Sequence, residues 1–248
     1  MMFELLAQAQ DGSTHGVGGI GIGYWILLGG MALVSMLISG TLKSRFAKYS
    51  QMPIAQTGAQ VAEAMLRQNG VNDVQVISVP GQLTDHYDPS KKTVNLSEAV
   101  YAQNNVAAAA VAAHECGHAL QHKQAYAWLT MRSKMVPAVQ LSSQLMNILM
   151  WMMIFGLFAM GSGGTVFIYV FLIAMGVTTL FSIITLPVEF DASKRALAWL
   201  DQSGYVRGFE HDKAKDALFW AAMTYVAAAV AAIAQLAYWA MMLLGRRD

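Results

Sequence analysis

The chain is expected to fold as a mainly α-helical integral membrane protein. About four transmembrane helices would carry a small α+β domain formed by two loops on the cytoplasmic side. Three observations lead there. Of 248 residues, 56% are apolar and only 12% are charged, against about 25% charged in a typical soluble domain. Uncharged stretches long enough to cross a bilayer, which takes about 20 residues, recur along the chain. Between them lie two polar stretches, 43–140 and 187–216, that hold most of the charge.

Residues 1–19 are short, polar and Gly-rich, and are expected outside the membrane. They have no basic start and too short an apolar run for a cleaved signal peptide. Gly16 to Gly21 reads G-x-G-x-x-G, but no strand precedes it and a span follows, so close helix packing in lipid explains the glycines better than a nucleotide loop. Residues 20–42 form the first span, and Lys43, Arg45 and Lys48 follow at once.

The segment 43–140 reads as mixed. Thr57 can cap a helix running to Gly70, with Val61, Ala64, Met65 and Gln68 on one face. Val74 to Val79 alternates like a strand and stops at Pro80-Gly81. Asp88-Pro89 makes a turn, Thr93 to Leu96 is a second short strand, and Ser97-Glu98 opens a helical stretch. Asn104 and Asn105 offer caps for an alanine-rich helix from Val106 to about His122.

That helix carries His114-Glu115-Cys116-Gly117-His118, an H-E-x-x-H pattern. Positions i and i+4 share a helix face, so two imidazoles can hold one zinc ion. Glu115 is offset by about 100° around the axis. It can flank the metal and take a proton from a water the metal has acidified. Gly117 would let another segment approach. Cys116, the single cysteine, lies opposite the ligand face and reads as a buried thiol. His122 shares the face, but eight residues rise about 12 Å, so it cannot join His114 and His118 on one ion. Gln121 and Gln124 stand where a longer histidine motif would place glycine and histidine.

Residues 141–186 read as a transmembrane hairpin turning at Gly161 to Gly164, 187–216 as a second cytoplasmic segment, and 217–244 as a fourth span. Nine of the 16 Lys and Arg lie between Lys43 and Lys134 and five between Lys194 and Lys215. The positive-inside rule puts both segments in the cytoplasm; Arg246 and Arg247 run against it. The net charge of +1 gives no electrostatic case for nucleic acid. The expected partners are the lipid bilayer and a peptide or protein substrate.

A catalytic zinc keeps three protein ligands and an open position. On the cytoplasmic side the candidates are Glu189, Asp191, His86, Asp85, Asp88, His122 and His211. Glu189 is preferred: it follows the third span just after Pro187, with Ala192, Ser193 and Ala196 small enough to press against the motif helix. The bland alternative is an acid near a helix start. Asp191 would be solvated or paired with Lys194 or Arg195, and Asp85 and Asp88 are simple turn formers. His86 and Tyr87 are candidates to face the metal and stabilise an oxyanion.

Three stretches, LTDHYDPSKKTVNLSEAVY (83–101), AAHECGHALQ (112–121) and LPVEFDASKRAL (186–197), together resemble the YugP-like neutral zinc metallopeptidases of bacterial membranes. A wider similarity extends to the HtpX and CAAX prenyl protease group, whose glutamate ligand sits in E-x-x-x-D. Glu189 matches that glutamate, and Ser193 stands where the aspartate would be. The resemblance implies a multi-pass peptidase of the bacterial cytoplasmic membrane with Zn2+ as cofactor. The expected activity is a zinc-dependent endopeptidase with His114, His118 and Glu189 on the metal, Glu115 as base, and the Thr93–Leu96 strand holding substrate by strand addition. Two rivals are a site-2-type intramembrane protease, which needs the motif helix in lipid, and a non-enzymatic scaffold with structural zinc, which needs a closed ligand set.

Overall fold

A computed structural model describes residues 21–154 and 164–244. The expected outer segment 1–19, the hairpin turn at 161–163 and the terminal arginines lie outside the described residues. Helices α1 (Ile22–Tyr49), α2 (Gly58–Gln68), α3 (Glu98–Tyr101), α4 (Val106–Lys123), α5 (Ala127–Ile154), α6 (Gly164–Ser203) and α7 (Phe209–Leu244) alternate with strands β1 (Gln75–Val79), β2 (His86–Asp88) and β3 (Thr93–Ser97) only between α2 and α3.

Local chemistry fixes the short elements. The Thr57 side chain accepts from the Gln60 amide, and the Gln60 side chain accepts from the Thr57 amide, a reciprocal capping box. α2 ends before Gly70, which sits at φ 68°. The Asn105 side chain accepts from the Ala108 amide and starts α4. The alanines of α4 leave little volume, so neighbouring elements close around it. Val61 and Met65 of α2, Val94 and Leu96 of β3, and Ala196, Leu200, Ala214 and Leu218 of the long helices share one core with it.

The sheet order is β1-β3-β2, with β1 parallel and β2 antiparallel to β3. This corrects the expected role of Thr93–Leu96. That strand is the buried centre of the sheet and both of its edges are paired. From Thr93 to Asn95 it has no free backbone edge to offer a substrate, and the Ser97 amide beyond is taken by Asp85.

Three helices are long and apolar enough to cross a membrane among the described residues: Ile22–Tyr49, Val166–Ser203 and Phe209–Met242. The first arm of the expected hairpin falls in α5, which begins at Ala127 and runs through Pro137. The second arm does not stop at the membrane boundary. α6 continues through Pro187 to Ser203, so Glu189 lies within a helix and not near its start. Pro187 costs one backbone hydrogen bond, but packing on α4 and α5 on one side and α7 on the other keeps the helix going.

Candidate metal centre

α4 and α6 cross where their side chains are smallest. A Cβ added to Gly117 would lie 2.6 Å from the carbonyl oxygen of Ala192. With alanine at 192 and none but hydrogen at 117, the α6 backbone comes against α4, and Glu189 swings over the motif face. Its Oε2 lies 3.2 Å from His114 Nε2 and 3.6 Å from His118 Nε2. The three ligand atoms all lie within 4.8 Å of one another.

The donor set fits zinc. With metal–ligand distances of about 2.1 Å, neighbouring corners of a tetrahedron lie about 3.4 Å apart, between the two measured separations. Electrostatics point the same way. The Nδ1 atoms have partners of their own, Ser193 Oγ at 3.1 Å for His114 and Gln121 Oε1 at 3.1 Å for His118. A proton on each Nδ1 leaves two Nε2 lone pairs facing a carboxylate oxygen, and a cation between them relieves that repulsion.

Supporting residues brace each ligand. Arg132 of α5 donates to the other Glu189 oxygen, Oε1, at 3.2 Å. That leaves Oε2 for the imidazoles. Gln121 Nε2 donates to Val188 O and to Asp191 Oδ2, both at 2.8 Å. Asp191 also takes Arg195 Nε at 2.5 Å, and Arg195 reaches Gln124 Oε1 at 2.5 Å. The two glutamines at the places of the absent glycine and histidine therefore tie α4 to α6.

A cavity of about 650 Å³ opens over this face, and Glu115 lines it beside His114 and Glu189. Tyr225 of α7 lines the same cavity, and its hydroxyl faces the Glu115 and Glu189 carboxylates. Cys116 is turned away and donates to Ala62 O. Burial, with Glu115 nearby, pushes its thiol well above the usual range, so it is neither ligand nor nucleophile.

The other sequence candidates lie outside the three-ligand cluster, although Asp85 lines the same cavity. Asp191 pairs with Arg195, and Asp85 accepts from the amide and hydroxyl of Ser97. Asp88 caps the turn at Ser90 and Lys91. His211 contacts Leu197 O. The proposed oxyanion pair is corrected. The Tyr87 hydroxyl meets Nδ1 of the exposed His122 at 2.8 Å, and His86 Nδ1 lies 2.7 Å from Thr84 O. Neither lines the cavity. Arg132 and Tyr225 are the residues sequence reasoning missed. A lone arginine and a tyrosine in long apolar helices were the available signals.

Comparison with known proteins agrees with this geometry. Residues 24–244 match the family model described as "Putative neutral zinc metallopeptidase". The chain is 40% identical over 209 residues to "Putative membrane protease YugP" of Bacillus subtilis (strain 168), covering 84% of this chain and 90% of that protein. No solved structure matches. The chain thus belongs to the family described as "Putative neutral zinc metallopeptidase".

Proposed function

We propose that the protein is a membrane-anchored zinc-dependent endopeptidase acting at the cytoplasmic face of the membrane. The observation that carries this is the meeting of His114, His118 and Glu189 in one cluster beside a cavity that His114, Glu189 and Glu115 line. His114 Nε2, His118 Nε2 and Glu189 Oε2 would hold the ion. Bound zinc would supply a Lewis acid for the scissile carbonyl and make water acidic near neutral pH.

The chain's own residues do the rest. Glu115 accepts the proton of the attacking water and returns it to the leaving amine. Ser193 and Gln121 fix the two imidazoles in the tautomer that presents Nε2. Arg132 holds Glu189 to a single ligating oxygen. The Tyr225 hydroxyl is the donor placed to meet negative charge developing on the carbonyl oxygen.

α5 is read as the fourth span. It starts at Ala127, its Arg132 meets Glu189 on α6, and it packs along α6, which returns to the centre. The basic segments 43–140 and 187–216 then share a side, and the positive-inside rule makes it the cytoplasm.

The rival readings find less support. α4 shares its core with α2 and β3 and is not among the described helices long and apolar enough to cross a membrane, where an intramembrane protease needs its motif helix. A structural zinc would need a fourth ligand, and Cys116 points away.

The test is a pair of variants in the purified full chain. Glu115→Gln should keep one zinc per chain and lose proteolysis, and His114→Ala should lose the zinc. A Glu115→Gln protein as active as wild type would overturn the assignment.

A further inference from the structure

The catalytic cavity has walls that belong to the membrane helices. On one side stand Ser39, Leu42 and Lys43 of α1, and on another Leu218, Ala221 and Tyr225 of α7. α1 packs lengthwise on α7 and reaches α4 at its foot. The most apolar stretch of α1 has no buried residue, so its surface is available to lipid.

The level of the cavity follows from where each helix changes character. On α1 the uncharged run ends at Leu42 and the first charge is Lys43. On α7 the last charge is Asp216, and the lining runs from Ala217 to Tyr225. On α6 the apolar run ends at Leu186, and Glu189 follows within one turn. Three separate water–lipid boundaries converge on one cavity. Its catalytic floor sits at the boundary and its α1 and α7 walls rise into the apolar layer, with Lys43 their one charged residue.

The rim repeats the pattern. Leu83 lines it, is 70% exposed, and is held at φ 57°. A left-handed leucine is strained by about 1–2 kcal/mol. Nothing in the water-facing surface repays an exposed leucine there, whereas an apolar layer or an apolar ligand would.

A peptide arriving from water needs no such walls. We propose that the site takes a membrane-embedded polypeptide and cuts it just where an apolar transmembrane segment emerges into water, with the apolar flank lying along α1 and α7. This rests on the peptidase reading and names the substrate class for it. The volume of about 650 Å³ suits a short stretch of polypeptide around the bond, at the middle of the range for ligand sites.

The experiment uses the zinc-loaded full chain in lipid vesicles and one cleavable linker in three settings. In the first the linker directly follows a model transmembrane helix. In the second a 20-residue polar spacer (about 20 residues, enough to clear the boundary) separates them. In the third the linker is a free peptide. The first two substrates are equally confined to the membrane, so their difference reports position and not local concentration. The boundary substrate should be cut at least about tenfold faster than the spaced one, the discrimination about 1.4 kcal/mol of apolar contact provides.

Two wall variants follow, Ala221→Phe on α7 and Ser39→Trp on the exposed face of α1. Each should slow the boundary substrate by about tenfold or more while retaining one zinc per chain. Equal rates for the boundary and spaced substrates, or a faster free peptide, would overturn the proposal and leave the peptidase reading standing. Wall variants that retain zinc and cut the boundary substrate at the wild-type rate would also overturn it. If no substrate is cut and Glu115→Gln is indistinguishable from wild type, both readings fall.

Discussion

Gly117 and Ala192 set the distance between the motif helix and the helix that brings Glu189, because a methyl group at 117 would lie 2.6 Å from the Ala192 carbonyl oxygen. The obstacle is backbone, which cannot swing aside as a side chain can. Gly117→Ala should therefore push α6 away from α4 and loosen the metal centre. Alanine improves an isolated helix by about 1 kcal/mol, so the variant separates the two effects. Zinc affinity should fall by about tenfold or more in a competition titration with a chelator, although α4 itself becomes a better helix.

The brace behind His118 gives a second expectation. Gln121→Leu removes the acceptor for His118 Nδ1 and the links to Val188 and Asp191 in one change. Loss of such a supporting residue typically costs 10–100-fold in metal affinity. Ser193→Ala, which removes a single contact to His114, should cost less. Zinc dissociation constants of the three proteins rank the contacts.

Tyr225→Phe should separate transition-state stabilisation from metal binding. Removing one donor to a developing oxyanion costs about 10²–10³ in kcat. Steady-state kinetics should show the loss mainly in kcat, with zinc content unchanged. A Phe variant that keeps wild-type kcat would remove Tyr225 from the reaction.

Cys116 should be chemically quiet. Its thiol is fully buried and pushed well above its ordinary value by burial and by Glu115, so little thiolate exists at neutral pH. Alkylation in the folded protein should be slow and should accelerate on denaturation. Cys116→Ala should keep both zinc and activity.

The foot of α1 is tied to α7 by Tyr49, whose hydroxyl donates to Asp216 at 2.5 Å and accepts from Arg45 at 3.2 Å. Tyr49 is fully buried, while Asp216 is about one-third exposed. Tyr49→Phe should lower stability in a thermal or denaturant melt by about 1.5 kcal/mol, the low end for a bond to a charged group, and leave zinc content unchanged.

What was legible in the chain followed from short-range chemistry. Thr57 with Gln60, Asn105 with Ala108, and His114 with His118 interact within one helical turn, and the sequence spacing displays each directly. Glu189 was legible for a different reason: small residues around it marked a close approach before any partner was known. The rest depends on partners far along the chain. Arg132 meets Glu189 across 57 positions, and no periodicity encodes that pairing. The central place of β3 comes from a parallel partner and a three-residue strand, β2, too short to show alternation. Pro187 read as a boundary because its local effect is to break helices, and tertiary packing overrode it.

The reaction centre draws one histidine pair from α4, a carboxylate from α6, an arginine from α5 and a phenol from α7. Arg132, Glu189 and Tyr225 all sit on the long helices α5, α6 and α7, so removing those helices to obtain a fragment that dissolves in buffer would discard the three together. On the proposed reading such a fragment would lack part of the metal centre, and enzymology belongs with the full chain in detergent or lipid from the first step.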